Sequence, residues 1–218
     1  MALWLCELDC PSPALPPPSS SLSAQEHARA ERFGTELLRK RWIAGRATLR
    51  SLLGATLGID PASVRLRRGA RGRPELDGEP GIDFNLSHTR GTALIAIATG
   101  TQDRIRIGIG IDIEREGRAV NADGLARKFL TERERAGIAS MDADGRRRTF
   151  LRLWTCKEAM SKATGDALSA PFRHMDVTLD DGPRLVAGPA PYTPAEWQLV
   201  AAAVPAGFIA TLAIWQRV

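Results

Sequence analysis

The sequence predicts an α+β fold of two similar lobes related by pseudo-twofold symmetry, each a small, mainly antiparallel sheet packed with helices. Two observations lead to this prediction. Each half of the chain runs through a helical pattern, a proline-containing loop, a strand and a final apolar hairpin. The 218 residues are also enough for a sizeable core. We expect an N-terminal lobe at 1–105, a C-terminal lobe at 106–218 and a ligand site between them.

The first half starts with a strand pattern over residues 2–9. The stretch 11–20 holds five prolines in ten residues and predicts an extended connector. Ser23 and Glu26 form a capping-box pattern, which predicts a helical stretch that continues, with one or two breaks, to about Gly58. Further strand patterns follow at 62–67, 82–88 and 92–98.

The second half opens with a strand pattern from Ile107 to Glu114. Three helical and four strand patterns follow: helices at 121–130, 131–140 and 146–164, and strands at 175–180, 184–187, 197–204 and 208–215. The last two strands lie in a run of twenty uncharged residues, Trp197–Gln216, which is long enough to span a bilayer. Because Pro205-Ala206-Gly207 interrupts this run, we interpret it as a buried hairpin.

Composition and cysteine usage indicate a cytoplasmic globular protein. The 30 Lys and Arg against 25 Asp and Glu give a formal charge of +5, and six Phe and one Tyr offer few stacking platforms for RNA. The cysteines, Cys6, Cys10 and Cys156, are odd in number and lack metal-ligand spacing, so we expect reduced thiols. The N-terminal stretch has no basic region of the kind that begins a signal peptide.

The segment Gly110–Glu114 is the sharpest local feature. Side chains alternate along a strand, so three isoleucines of this strand should face a core while Asp112 and Glu114 share the opposite face. Adjacent carboxylates repel unless a cation or a proton lies between them, and paired oxygens suit Mg²⁺. The alternative is a half-exposed strand with solvated acids.

The segment Trp154–Lys162 should be helical. Trp154, Glu158 and Lys162 are then spaced i, i+4, i+8 and lie on one face, where Glu158 can supply a third carboxylate and Lys162 a cation. The alternative is a surface ion pair, with Trp154 packed in the core.

The segment Phe84–Thr89 should be a strand that ends in polar groups. Ser87 and His88 point to opposite faces, which disfavours a hydrolase pair, and a strand end with these groups suits an anion such as phosphate. The alternative is a structural histidine.

In this order and spacing, these segments resemble the motifs of the 4′-phosphopantetheinyl transferases, in particular of the larger two-lobed type called the Sfp type. That family is marked by a basic turn before proline, an FNLSHS-like strand, a GIDIE-like strand and a W-x-x-KEA-x-x-K helix. The matching segments here are Gly72-Arg73-Pro74, Phe84–Thr89, Gly110–Glu114 and Trp154–Lys162. Each motif is weak alone, whereas the ordered set is specific.

The resemblance implies an enzyme that moves the phosphopantetheine arm of coenzyme A to a serine of an apo acyl or peptidyl carrier protein and releases adenosine 3′,5′-bisphosphate. It also implies Mg²⁺ as cofactor, held at the positions of Asp112, Glu114 and Glu158. The positions of Arg73, Ser87 and His88 are implied contacts of the 3′-phosphate end of coenzyme A. Those of Lys157 and Lys162 face the phosphates, and Glu134 matches a helix acid of unassigned role.

For catalysis we take Glu158 as the candidate base for the serine hydroxyl, with Asp112 and Lys162 completing the catalytic set. The sequence departs from the family in two places. Arg73 stands where Lys is common, and the two lysines usual on the first helix are reduced to Arg29, with Arg41 as a further candidate for binding coenzyme A.

Other functions remain open at this point. They are a catalytically weak carrier-binding scaffold, a basic nucleic-acid-binding module built on the RRGARGR run at 67–73, and a Mg²⁺-dependent pyrophosphatase. The few aromatic residues and the acids at 112, 114 and 158 disfavour nucleic acid. Fatty-acid, polyketide and nonribosomal peptide carriers are all possible partners, no membrane partner is expected, and two lobes in one chain make a monomer sufficient.

Overall fold

In the computed structural model, residues 1–9, 18–69, 71–79, 81–100 and 106–217 are described. Most of the connector predicted at 11–20, the lobe boundary expected near residue 105, and Cys10 lie outside the described residues. We call residues up to 100 the first half and those from 106 onward the second half. The α+β class, with small antiparallel sheets packed with helices, is confirmed.

The first half is built on a three-stranded antiparallel sheet in the order β1-β5-β4, with a separate two-stranded hairpin of β2 and β3. Its elements are β1 (Ala2–Glu7), α1 (Ala24–Ala30), α2 (Glu36–Leu57), β2 (Leu66–Arg68), β3 (Pro74–Leu76), β4 (Ile82–Thr89) and β5 (Thr92–Thr99).

The second half repeats this plan with a three-stranded antiparallel sheet in the order β6-β10-β9 and a hairpin of β7 and β8. Its elements are β6 (Arg106–Arg115), α3 (Ala122–Phe129), α4 (Glu132–Ala139), α5 (Ala143–Thr164), β7 (Asp176–Thr178), β8 (Arg184–Ala187), β9 (Trp197–Ala201) and β10 (Phe208–Arg217). In each half a helix of 22 residues, α2 or α5, is the longest helix described.

The ends of the helices follow local signals in the sequence. Ser23 and Glu26 form the expected capping box at the start of α1. The long helices end at Gly58 and Gly165, whose φ angles of +69° and +81° lie in the left-handed region that glycine adopts without strain. The helix α5 begins three residues earlier than expected, because the Asp142 side chain accepts a hydrogen bond from Gly145 N and caps it there.

The strand expected at 62–67 is shorter than predicted. Asp60 caps a 3₁₀ turn at Pro61–Ser63, so the strand β2 begins only at Leu66. Its partner β3 was missed, since three residues beginning with proline carry too little pattern to predict a strand.

The terminal apolar run is a hairpin, as predicted. The strands β9 and β10 pair antiparallel, with Trp197 opposite Trp215 and Ala201 opposite Thr211. None of the helices among the described residues is long and apolar enough to cross a membrane.

Candidate active site

The two sheets meet edge to edge along β4 and β6. Ile109, Ile111 and Ile113 are buried, as the alternation predicted, in a cluster that joins β5, β6 and β10. Their backbone N–H groups donate to side chains of β4: Ile109 to Asp83 Oδ2 (2.8 Å), Ile111 to Asn85 Oδ1 (3.2 Å) and Ile113 to Ser87 Oγ (3.4 Å). We call these three side-chain contacts the β4–β6 ladder. Both strands advance by two residues from one contact to the next, so they run parallel.

Asp112 lies at the junction of the two halves. Its Oδ1 accepts hydrogen bonds from Ser87 Oγ (2.8 Å) and from Lys162 Nζ (2.6 Å), and Lys162 Nζ also donates to Ser87 Oγ (2.9 Å). The residue is 5% exposed. Its Oδ2 is buried and has no hydrogen-bond partner among the described residues. A buried, unpaired carboxylate oxygen is costly, so it marks a place where a cation or donor would be stabilised.

Gly110 brings α5 close enough to β6 for this contact. A Cβ at this position would overlap the carbonyl oxygen of Ala159 and the backbone N of Ala163. Because glycine has no Cβ, α5 can pack directly on β6, and the residues on its facing side reach Asp112. Glu158 and Lys162 lie on that side, one turn apart, as their spacing predicted, whereas Trp154 packs against Phe129 and Phe172 in the core.

Glu114 is on the same face of β6 as Asp112 and is almost as deeply buried. Its Oε2 lies 3.5 Å from Thr89 Oγ1 of β4, and its Oε1 forms an ion pair with the guanidinium of Arg118. Burial raises the pKa of the Glu114 carboxyl above its usual value, and the charge of Asp112 adds to this while Arg118 opposes it.

Glu158 is half-buried and belongs to the same group of acids. Burial raises the pKa of its carboxyl, Lys162 opposes the shift, and the charges of Asp112 and Glu114 add to it. The carboxylates of Asp112, Glu114 and Glu158 are a donor set that suits a hard divalent cation.

The three carboxylates have the right chemistry for such a cation, but they do not converge on one point. Among the described residues, no three His, Cys, Asp or Glu side chains converge closely enough to hold a metal ion. Two of the acids instead form ion pairs with basic side chains, Asp112 with Lys162 and Glu114 with Arg118. The expected gathering of Asp112, Glu114 and Glu158 therefore requires these side chains to move.

A basic groove leads away from this junction into the first half. Two adjoining cavities of about 400 and 240 Å³ share Arg29, Trp42, Arg46, Arg68, Gly72 and Pro74 in their walls. His88 and Arg41 line the smaller cavity. Sequence reasoning found Arg29, Arg41 and His88 but missed Arg46 of α2, which has no local motif. Arg68 of β2 was noted only as part of the basic run at 67–73.

Several arginines lie close together along the groove, and Glu26 forms ion pairs with two arginines of α2. Glu26 pairs with Arg46 (3.3 Å) and Arg50 (2.7 Å). Burial lowers the pKa of Arg46; Glu26 opposes this, and the charges of Arg50, Arg68 and Arg29 add to it. A group of guanidinium ions that repel one another is a favourable site for an anion such as phosphate. Arg41 is instead paired with Asp9 at 2.6 and 2.8 Å.

His88 stands where the groove reaches the acids, since it lines the smaller cavity and also a cavity beside Glu114. Partial burial and then the charge of Lys162 lower the pKa of its imidazole. Ser87 was expected to contact coenzyme A. In the structure its side chain is buried, and its hydroxyl donates to Asp112 and accepts from Lys162.

Arg73 lines a cavity of about 220 Å³ with Arg71 and Lys162, but most of its hydrogen-bonding groups are engaged within the protein. Its Nε donates to Lys162 O (2.9 Å). The two N–H groups of its Nη2 are shared among four acceptors, both carboxylate oxygens of Asp83 (2.8 and 2.9 Å) and the carbonyls of Phe84 (3.1 Å) and Ile109 (2.9 Å). The side chain is 11% exposed. These contacts connect both halves, and the implied contact of Arg73 with coenzyme A stays a prediction.

The expectation that Lys157 faces the phosphates is contradicted by its burial. Its side chain is 0% exposed, and its Nζ donates to Glu134 Oε2 (2.7 Å) and to the carbonyls of Phe172 (2.7 Å) and Phe129 (3.1 Å). Glu134 also accepts from Val177 N at 2.8 Å. This buried ion pair joins α4, α5 and β7.

Comparison with known proteins assigns the fold and site to a family. The family model described as the 4′-phosphopantetheinyl transferase superfamily matches residues 108–213, and that of the 4′-phosphopantetheinyl transferase N-terminal region matches residues 17–100. The 4′-phosphopantetheinyl transferase HetI of Nostoc sp. is 37% identical over 180 residues, which cover 81% of this chain and 73% of HetI. The chain belongs to the 4′-phosphopantetheinyl transferase family.

A second curated relative agrees with this membership. The 4′-phosphopantetheinyl transferase ffp of Bacillus subtilis is 27% identical over 176 residues, covering 80% of this chain and 75% of ffp. A crystal structure of a holo-(acyl-carrier-protein) synthase from Bacillus anthracis in complex with CoA (3′,5′-ADP) aligns with 51% of this chain and 96% of its own, at 23% identity and a TM-score of 0.39. The family models and the curated relatives confirm the family expected from the ordered motifs and its transferase activity.

Proposed function

We propose that this 4′-phosphopantetheinyl transferase moves the phosphopantetheine arm of coenzyme A to a serine of an apo acyl or peptidyl carrier protein, with Mg²⁺, and releases adenosine 3′,5′-bisphosphate. The observation that carries the proposal is the position of Asp112. It is buried between Ser87 of the first half and Lys162 of the second. One of its oxygens has no partner in the described part of the chain, and a basic groove lies nearby. The active site then lies between two lobes, 1–105 and 106–218.

The acids on β6 and α5 are the residues that would hold Mg²⁺. Asp112 offers its unpaired Oδ2, and Glu114 and Glu158 offer carboxylates that positive charge would stabilise. When bound, the ion offsets negative charge on the pyrophosphate and on the departing phosphate.

The basic groove would hold the nucleotide end of coenzyme A. Arg29, Arg46 and Arg68 line both of its cavities and supply charge for the 3′-phosphate. His88 lies between the groove and the acids. A nucleotide in the groove would thus place its pyrophosphate near Lys162, whose ammonium has three donors and gives two of them to Ser87 and Asp112.

The reaction forms a bond between the serine oxygen of the carrier and the phosphorus that bears the pantetheine arm. The bond from that phosphorus to the 5′-phosphate of the nucleotide breaks, and adenosine 3′,5′-bisphosphate leaves. Glu158 is our candidate to accept the serine proton, because its raised pKa brings it closer to the working pH of a base. Lys162 offsets charge that develops on the pyrophosphate oxygens.

The arginine run at 67–73 gives little support to the alternative of a nucleic-acid-binding module. Arg67 pairs with Glu75, Arg71 with Asp166 and Arg73 with Asp83. Three arginines of the run are therefore neutralised by neighbouring acids. The formal charge of +5 instead favours encounter with an acidic carrier protein.

Release of the nucleotide product tests the proposal. The protein is incubated with coenzyme A, Mg²⁺ and an apo carrier protein, and adenosine 3′,5′-bisphosphate is measured by liquid chromatography. We expect product that requires both the apo carrier and Mg²⁺ and is absent with the holo carrier, whose serine is already modified. Product without any carrier would favour a pyrophosphatase instead.

A further inference from the structure

We infer that Arg73 and Asp83 are positioning residues, which fix the place of Asp112 and Lys162 relative to the first half. The inference rests on the proposed function, in which those two residues serve the transfer. It assigns to Arg73 a role other than the phosphate contact that the sequence suggested.

Arg73 joins the backbone segments that carry the site. It lies on the turn before β3, and its acceptors are carbonyls of β4, β6 and α5 together with the carboxylate of Asp83. The carbonyl of Lys162 belongs to the last turn of α5, where it has no partner within the helix. A guanidinium that is bound to Lys162 O therefore holds the end of the helix that presents the Lys162 ammonium.

Asp83 links the same guanidinium to the β4–β6 ladder. Its Oδ2 accepts from Arg73 Nη2 and from Ile109 N, both at 2.8 Å. Asp83 is therefore the first step of the ladder, and Asn85 and Ser87 are the next two. Because Ser87 is both the third step and a partner of Asp112, the pair fixes which residue of β6 lies opposite Ser87.

The ladder needs such an anchor, because hydrophobic packing alone specifies it weakly. The residues of β6 that face the core are three isoleucines in succession, so a slip by two residues would bury the same side chain type. That slip would move Asp112 by about 7 Å along the strand. A partly buried ion pair of fixed geometry at one step of the ladder disfavours the shifted register.

Hydrogen exchange tests the ladder without reference to activity. We would compare the wild type with Arg73→Met and Asp83→Asn by measuring exchange of peptides that cover residues 107–114. Arg73→Met should speed exchange in this segment. Asp83→Asn, which keeps an acceptor for Ile109 N, should do so less. The control is Leu185→Ala, which weakens the core of the second half away from the site. Unchanged exchange of 107–114 in Arg73→Met would overturn the inference.

Kinetics with two donors separates positioning from phosphate binding. A positioning role predicts that Arg73→Met lowers kcat by about 10- to 100-fold and does so equally with coenzyme A and with dephospho-coenzyme A, which lacks the 3′-phosphate. A rise in KM for coenzyme A that is absent with dephospho-coenzyme A would mean that Arg73 binds the 3′-phosphate. A lower melting temperature with unchanged kcat, as expected for Leu185→Ala, would mean that it only stabilises the fold.

Calorimetry of Mg²⁺ binding provides a readout that remains informative if the proposed transfer fails. Titration of Mg²⁺ into the protein with coenzyme A should show an affinity about 10- to 100-fold weaker in Arg73→Met and closer to wild type in Asp83→Asn. If the wild type transferred nothing to any carrier, the proposed function would fail while exchange and calorimetry still decided the positioning role. An affinity equal to wild type in both variants would contradict it.

Discussion

Ser87 Oγ donates a hydrogen bond of 2.8 Å to Asp112 Oδ1, which connects the C-terminal end of β4 with the second half of β6. Lys162 donates to both atoms, so three elements from two halves of the chain meet at one carboxylate. The second oxygen of that carboxylate is buried without a partner among the described residues. A cation or a hydrogen-bond donor at this oxygen would stabilise the buried carboxylate.

Asp112→Ala should abolish turnover and weaken Mg²⁺ binding. No residue on the opposite face of β6 can replace the carboxylate, because the neighbouring side chains point into the isoleucine core. Steady-state kinetics and calorimetry with Mg²⁺ measure the two effects. Asp144→Ala is the control, since this acid is exposed on α5 and pairs only weakly with Arg147 at 3.3 Å. Near wild-type turnover in Asp112→Ala would remove Asp112 from the site.

Glu158→Gln should lower kcat by at least about a hundredfold, the size expected for loss of a general base. In the wild type, activity should fall as the pH falls through the raised pKa of Glu158, above the ordinary value of 4.5. The pH profile of kcat/KM checks this, and an acid limb at or below 4.5 would speak against it.

The same variant should be more stable without metal. A carboxyl whose folded pKa is raised binds its proton more tightly in the folded state, so its ionised form destabilises the protein at neutral pH. Glu158→Gln removes that charge, and we expect a higher melting temperature at pH 7 in the absence of Mg²⁺. At a pH below the pKa of Glu158 in both the folded and the unfolded state, the difference in melting temperature between variant and wild type should shrink. A lower melting temperature at pH 7 would show that Glu158 stabilises the fold.

Lys157→Met should destabilise the protein by about 3–5 kcal/mol, because it leaves the charge of Glu134 buried and unpaired. The double variant Lys157→Met/Glu134→Gln should recover part of this loss, since the charge is then removed. Denaturant unfolding measures both. The folded fraction of Lys157→Met should bind coenzyme A with wild-type affinity, and a weaker affinity would restore Lys157 as a phosphate contact.

Arg46→Ala should raise the Kd for coenzyme A by about 10- to 100-fold, the loss expected for a charged hydrogen bond of about 1.5–3 kcal/mol. The effect should be smaller with dephospho-coenzyme A if Arg46 lies near the 3′-phosphate. Arg39→Ala is the matched control on α2, because Arg39 pairs with Glu31 and Glu36 and does not line the groove. Equal losses with both ligands would place Arg46 elsewhere on coenzyme A.

Gly110→Ala should unfold the protein or push α5 away from β6, with loss of turnover, because the added Cβ overlaps backbone atoms of α5. The control is Gly137→Ala on α4, where a Cβ meets nothing within 4 Å and alanine favours the helix by about 1 kcal/mol. Thermal melting and activity compare the two. A stable and active Gly110→Ala would show that α5 does not need this close approach.

Local patterns in the sequence predicted much of the site. The alternation of β6 placed the isoleucines in the core and Asp112 and Glu114 on one face, and the spacing on α5 placed Glu158 and Lys162 together. These predictions succeed because a strand or a helix fixes the relative direction of its own side chains.

Contacts between distant segments could not be predicted in the same way. The family resemblance implied phosphate contacts for Arg73 and Lys157. Their partners in the structure, Lys162 O and Ile109 O for Arg73 and Glu134 for Lys157, lie on other elements that a local pattern does not reveal. One signal was available: Asp83, Asn85 and Ser87 alternate along β4, a row of polar side chains on a strand that could have indicated a partner for the edge of β6.

The central claim is tested most directly by mass spectrometry of a carrier protein. Apo carriers of the fatty-acid, polyketide and nonribosomal peptide classes are each incubated with this protein, coenzyme A and Mg²⁺, beside a version of each carrier whose acceptor serine is replaced by alanine. The account predicts a gain of one phosphopantetheine mass on the serine of at least one carrier, absent from the alanine version and from the reaction with Asp112→Ala. No gain on any apo carrier, under conditions in which a known transferase modifies the same samples, would contradict it.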